Sequence, residues 1–372
     1  MTRLEVKRGK GSERRRGSSR RRGIMLPRLA RWARVGVFIF GGLLLSCDEG
    51  PTEPTLTPSG QGFVWVGTDN VFTENWLIKV DVGTGEIHRR GVKGFKAGEW
   101  LVGIPVEEET GEFFLHKPSF FLARYNAKGD TIWREGETPY HWRDYSSIAY
   151  YANGNVVWGL EDVGLGLEKR NGSNGELLLI KHIAGLNLNP KPPIQIDQRD
   201  GSVWAASPSY LVKLSANGTK MFEEEFTFPE RVIKNMAINE NSGNLWVLVT
   251  DGAPGETYRL IKYSASGSKL LTKDTFINQE PTGMAVDPKT GDVWLAYGYG
   301  IFVTDKNGDY KKPYPNYNNI RAITFAGNKA IIGGGEESKG YWLYALNKDT
   351  GKEIWQIKDG YRPVTYIGYV QR

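Results

Sequence analysis

Few residues of this chain are of a type and spacing that could do chemistry. There is one cysteine, Cys47, and there are four histidines, His88, His116, His141 and His182. A lone thiol has no intramolecular partner, which excludes a disulfide framework, and the histidine spacings reproduce no zinc motif. Asp305-Lys306-Asn307-Gly308-Asp309 starts like a calcium loop but lacks the distal bidentate glutamate. Asn171-Gly172-Ser173 and Asn217-Gly218-Thr219 match the glycosylation acceptor, yet Asn-Gly is also what a tight turn requires. No catalytic residue, metal or cofactor is therefore expected. What remains are aromatic and basic side chains suited to gripping a partner: Tyr140, His141, Trp142, Arg143, Tyr314, Tyr317, Tyr361 and Arg362.

Charge narrows the partner class. The whole chain carries 48 basic and 42 acidic residues. The first 46 residues hold 13 of the former and two of the latter, which leaves 35 basic against 40 acidic beyond them. A net acidic folded part repels phosphate, so nucleic acid is excluded as a partner.

Cys47 follows Val35–Ser46, an apolar run of about twelve residues behind a basic stretch, too short to cross a bilayer as a helix. This is the pattern of an export signal, with Met25 the expected true start. Leu44-Leu45-Ser46-Cys47 resembles the lipobox of bacterial lipoproteins, which implies cleavage after Ser46 and diacylglycerol modification of Cys47. Each buried methylene of such an anchor contributes roughly 0.8 kcal/mol. Asp48 resembles the residue that retains some lipoproteins in the inner membrane. The expected organisation is a signal peptide over 1–46, a Pro- and Thr-rich tether over 47–61, and a folded part over 62–372. The expected location is the cell envelope, facing away from the cytoplasm.

The elements that must position any site are repeats. Leu77–Ile87, Leu122–Trp133, Leu167–Leu178, Leu211–Phe222, Leu260–Leu271, Ile301–Lys312 and Leu343–Trp355 each read as a hairpin around a turn glycine: Gly85, Gly129, Gly175, Gly218, Gly267, Gly308 and Gly351. Their mean period is about 44 residues. An Asp, Asn or Ser opens each turn and glycine supplies its left-handed conformation. A second hairpin precedes each one, clearest at Ile194–Ala206, Met236–Leu248 and Met284–Ala296. Four strands per period predict an all-β, seven-bladed β-propeller. The first repeat lacks an innermost strand while Pro363–Val370 is left over, so the C-terminal strand is expected to complete the first blade. Trp65, Trp158, Trp204, Trp246 and Trp294 fall at one repeat position, with Phe114 and Ile331 in the other two blades, and are expected to pack between blades.

Asn347–Trp355 resembles the blade signature of quinoprotein-like propellers, and Ala285–Ala296 looks like an NHL-type blade. The quinone-binding members of the former use an adjacent cysteine pair that this chain lacks. The scaffold and anchor together also resemble the propeller lipoproteins of the outer-membrane barrel-assembly machinery. Short turns at one end of the ring and irregular loops at the other place binding on the loop end. The expected function is a monomeric, lipid-anchored propeller that binds an envelope protein or a small ligand through that end without catalysis. Two other readings stand beside it: a hydrolase or lyase with a polar site at the channel mouth, and a spacer that binds nothing.

Overall fold

The computed structural model describes residues 62–68, 77–90, 106, 110–117, 121–135, 145–161, 166–183, 194–227, 232–251, 257–275, 277, 279–298, 300–317, 319–336, 340–359 and 364–370. The chain divides into two compact units, Met1–Thr55 and Leu56–Arg372, and every described residue belongs to the second.

Every regular element among the described residues is a strand. In chain order they are β1 (Phe63–Thr68), β2 (Leu77–Asp81), β3 (Ile87–Arg90), β4 (Phe113–Lys117), β5 (Phe121–Tyr125), β6 (Thr131–Arg134), β7 (Tyr145–Tyr151), β8 (Val156–Glu161), β9 (Gly166–Asn171) and β10 (Leu177–His182). There follow β11 (Gln195–Ile196), β12 (Val203–Ser207), β13 (Tyr210–Leu214), β14 (Lys220–Glu225), β15 (Val232–Ile238), β16 (Leu245–Thr250), β17 (Tyr258–Tyr263) and β18 (Lys269–Asp274). The last are β19 (Gly283–Val286), β20 (Val293–Tyr297), β21 (Gly300–Thr304), β22 (Tyr310–Pro315), β23 (Ile320–Ala326), β24 (Lys329–Glu336), β25 (Gly340–Asn347), β26 (Glu353–Asp359) and β27 (Val364–Val370).

These strands form seven antiparallel sheets, the blades of a β-propeller. Blades 3 to 7 are β7–β10, β11–β14, β15–β18, β19–β22 and β23–β26 in simple sequence order. Blade 2 is β4–β5–β6, and Val106 bridges to Phe113 where the other blades carry their inner strand. Blade 1 is β27–β1–β2–β3, so the last strand closes the ring on the first. Its register runs antiparallel from Phe63↔Val370 to Val66↔Ile367.

The reason for the sandwich is legible in the burial. Middle strands are covered on both faces by neighbouring blades, and β12 and β16 are buried throughout. Outer strands are not, and β14 and β18 are mostly exposed. The five repeat tryptophans are at most 1 % exposed and, with Phe114 and Ile331, fill the spaces between blades.

Candidate binding face

Polar groups at one end of the ring serve its short turns. At the turn end, the residue opening each short turn spends its side chain on that turn. Asp81 Oδ1 accepts the Thr84 N–H at 2.8 Å, Asn171 Oδ1 that of Ser173 at 2.8 Å, and Asp305 Oδ1 those of Asn307 and Asp309 at 2.8 and 2.9 Å. This is why the acceptor-like Asn171 and the calcium-like Asp305 stand where they do: each replaces a backbone partner that the turn lacks. The glycine after them is equally constrained. Gly351 has φ +72°, and a Cβ there would meet Tyr314 of blade 6 at 2.0 Å.

A second set of bonds ties each turn to the blade before it. The carbonyl just after the turn-opening residue accepts from a cation of the preceding blade at all seven junctions. Lys79 reaches Ala127 O at 3.3 Å, Arg124 reaches Gly172 O at 2.9 Å, and Lys169 reaches Ala216 O at 2.7 Å. Lys213 donates to Ala265 O, and Lys262 to Lys306 O at 2.7 Å. Lys312 bonds Asp349 O at 2.6 Å and Lys348 O at 3.3 Å, and Lys329 closes the circle on Val82 O at 3.1 Å.

In blades 1 to 5 the cation sits directly across the strand pair from the repeat aromatic, as in Trp65↔Lys79 and Trp204↔Lys213. Its charge lies over that ring, 5.2 Å from the centroid for Lys213 on Trp204. The ring face and the carbonyl together compensate the lost hydration. Burial still lowers the pKa of Lys169, Lys213, Lys262, Lys312 and Lys329 below the ordinary lysine value. Val303 and Ala345 stand at that position in blades 6 and 7, so the cation comes from β22 and β24 instead. Sequence reasoning passed over these cations, although the recurring Leu-Ile-Lys, Leu-Ala-Arg, Leu-Glu-Lys and Leu-Val-Lys strings were the signal.

The expected binding residues were assigned to the loop end. Tyr140, His141, Trp142, Arg143, Tyr361 and Arg362 lie outside the described residues, as does Cys47. Tyr314 and Tyr317 are described, and both pack into the scaffold. Tyr314 belongs to β22 rather than to a loop, is 7 % exposed, stacks near Trp294 with centroids 5.0 Å apart, and donates its hydroxyl to Lys348 O at 3.0 Å. Burial, with the charges of Asp349 and Asp292 nearby, pushes that hydroxyl up to about 12, so it stays a donor. Trp133 and Trp355 use the same device, their indole N–H groups bonding Gly172 O at 2.6 Å and Val82 O at 2.9 Å. Tyr317 packs edge-on against Tyr344 of blade 7 at 5.1 Å. These two tyrosines thus set the geometry of the connection between blades 6 and 7. Most of residues 333–340 is strand, because β24 continues to Glu336 and β25 begins at Gly340.

The described histidines lie on three separate blades. His88 packs on Phe63, His116 is fully buried on β4, and His182 is on the outer strand β10. Among the described residues no group of three His, Cys, Asp or Glu side chains is placed to hold a metal ion. Nor is any helix there long and apolar enough to cross a membrane.

No protein-family model and no curated protein matches the chain. Among solved structures 1408 chains match it, so the scaffold is shared far too widely to specify an activity. One of them is the crystal structure of BamB from Moraxella catarrhalis. It matches with a TM-score of 0.53 and 10 % identity over 81 % of this chain and 89 % of that one. At that identity the likeness establishes what the strand order already showed: the chain is a seven-bladed, all-β propeller of the kind BamB exemplifies.

Proposed function

We propose that this protein is a lipid-anchored envelope propeller that binds a protein partner through its loop end and catalyses nothing. The observation that carries the reading is where the chain enters the ring. Gly62 O accepts the Val82 N–H at 3.2 Å, beside the turn that follows β2, and Phe63 pairs with Val370 at the same end. Entry of the chain at Gly62 supports a reading in which a tether from Cys47 runs to the turn end and the loop end stays open to a partner. The turn end is occupied by its own Asx turns and by the cation ladder. The segments assigned to the loop end hold Tyr140, His141, Trp142, Arg143, Tyr361 and Arg362 in sequence, residue types that dominate contact energies when a partner buries them.

Two substitutions separate the parts of this reading. Cys47→Ser is expected to abolish acylation by mass spectrometry and to move the protein from the membrane to the soluble fraction. Trp142→Ala with Arg143→Ala is expected to leave the anchor intact and weaken recovery of the crosslinked partner by at least about tenfold, as loss of one or two anchors of about 2 kcal/mol implies. An unchanged membrane fraction in the first case, or unchanged partner recovery in the second, contradicts the corresponding part.

A further inference from the structure

Five Asn-Gly dipeptides stand at the short turns: Asn153-Gly154, Asn171-Gly172, Asn174-Gly175, Asn217-Gly218 and Asn307-Gly308. The pair is chemically reactive as well as turn-forming, because no Cβ on the glycine obstructs approach of its nitrogen to the asparagine side-chain carbonyl. In a folded chain the outcome depends on whether that nitrogen is held. At four of the five pairs it is. Gly172 donates its N–H to Asn155 O at 2.7 Å, Gly175 to Asn171 O at 2.8 Å, Gly218 to Ser215 O at 2.8 Å and Gly308 to Asp305 O at 2.9 Å. All four of these glycines are buried. Three seat against a side chain of the preceding blade: Gly175 on Trp133, Gly218 on Leu179 and Gly308 on Lys273.

The fifth pair sits differently in its turn. Between β7 and β8 the closing bond runs from the Asn155 N–H to Ala152 O at 3.0 Å, one residue after the Asn-Gly pair. The left-handed residue is accordingly Asn155, with φ +45°, and not the glycine. The Gly154 N–H makes no hydrogen bond to any described residue. Ala152, Asn153 and Gly154 are all exposed, so water reaches the side chain and the backbone alike. Glycine is nevertheless required here, because a Cβ at Gly154 would meet the Tyr151 ring at 2.5 Å. Packing therefore imposes a reactive dipeptide at the place where the turn leaves its nitrogen unheld.

We propose that Asn153 is a site of spontaneous covalent modification, converted by its own neighbour and water to aspartate and isoaspartate. The Gly154 nitrogen bonds to Asn153 Cγ, the Cγ–Nδ2 bond breaks, and the Gly154 proton leaves with Nδ2 as ammonia. Water then opens the resulting cyclic imide. Addition at Cγ gives aspartate, and addition at the main-chain carbonyl carbon gives isoaspartate, in which the backbone runs through the side chain. The change bears on a contact between blades 3 and 4. Gln198 of blade 4 clasps this turn through three bonds: it donates Nε2 to Tyr150 O at 2.7 Å, accepts the Ala152 N–H at 3.2 Å, and accepts Asn153 Nδ2 on its own main-chain oxygen at 3.1 Å. The modification removes the third donor and sets a carboxylate against that oxygen, which loosens the clasp and adds a negative charge to the turn end.

The test is a time course on the folded full chain at mildly alkaline pH, quenched in acid and read by peptide mass spectrometry at all five asparagines. Asn153 is expected to convert about tenfold faster than each of the other four, whose nitrogens must first break a turn bond and leave a packed site. The same chain in concentrated urea is the control, and there the five sites are expected to react at comparable rates because each is followed by glycine. Asn153→Gln keeps an amide but closes only a larger, slower ring, and should abolish the fastest product with the unfolding midpoint unchanged. Equal rates at the five sites in the folded protein overturn the proposal. So does faster conversion of Asn217 or Asn307 than of Asn153, or a folded Asn153 that stays intact while the urea control reacts, or a leading product that survives Asn153→Gln.

Discussion

Deleting residues 364–372 is expected to destroy the cooperative unfolding transition, a larger effect than any point substitution. The deletion removes β27, whose ladder to β1 runs the full length of both strands. It also removes Val364, which is fully buried in a cluster with Val64, Val66, Ile331 and Leu343 drawn from blades 1 and 7. Gly333 accommodates it so closely that a Cβ at that glycine would meet Val364 Cγ1 at 2.4 Å. Opening the ring exposes two apolar blade faces and leaves β1 as a long unpaired edge, which invites aggregation. The measurement is urea unfolding followed by tryptophan fluorescence, with deletion of Gln371 and Arg372 alone as the control. A deletion protein with a sharp transition at the wild-type midpoint contradicts closure by β27.

The second large effect is expected at Trp204. Its side chain is fully buried, contacts Phe222 at 5.6 Å and Tyr263 at 6.2 Å between ring centroids, and carries the Lys213 charge on its face. Trp204→Ala should cost about 3–5 kcal/mol. Lys213→Met should cost about 1.5–3 kcal/mol, because it keeps most of the packing but leaves the Ala265 carbonyl without its charged donor. The two sites touch, so the double variant is expected to fall short of the sum by about 0.5–3 kcal/mol. Denaturant midpoints for the four proteins give the coupling directly. Strict additivity would show that the cation over the ring contributes nothing to holding blades 4 and 5 together.

Much of the architecture was legible because it is periodic. Turn glycines and the asparagine, aspartate or serine that opens each turn report a local backbone need, a bulky apolar residue at one position, tryptophan in five blades, reports the packing between blades, and both repeat with the blade. Closure was legible from Phe63–Val66 lacking an inner partner and Pro363–Val370 lacking a sheet. What was not legible depends on neighbours in space. Tyr314 was expected on the loop end, yet β22 runs through Pro313, Tyr314 and Pro315 at an edge where a missing N–H costs little. Its ring then takes the place beside the next blade's turn glycine that Trp133 and Trp355 fill elsewhere. The cation ladder was missed for the same reason. A lysine after two apolar residues reads as a solvated strand position, and only the adjoining turn carbonyl shows why it is buried. The binding loops carry no period, so their residues were found by type alone.

The account turns on which end of the ring meets the partner. A photo-crosslinking residue placed at Trp142 or Tyr361 on the loop end, and at Asn174 or Asn217 on the exposed turns, tests this in intact cells. Adducts to one envelope protein from the two loop positions, with none from the two turn positions, are the predicted result. Adducts from Asn174 and Asn217 with none from Trp142 or Tyr361 would contradict it.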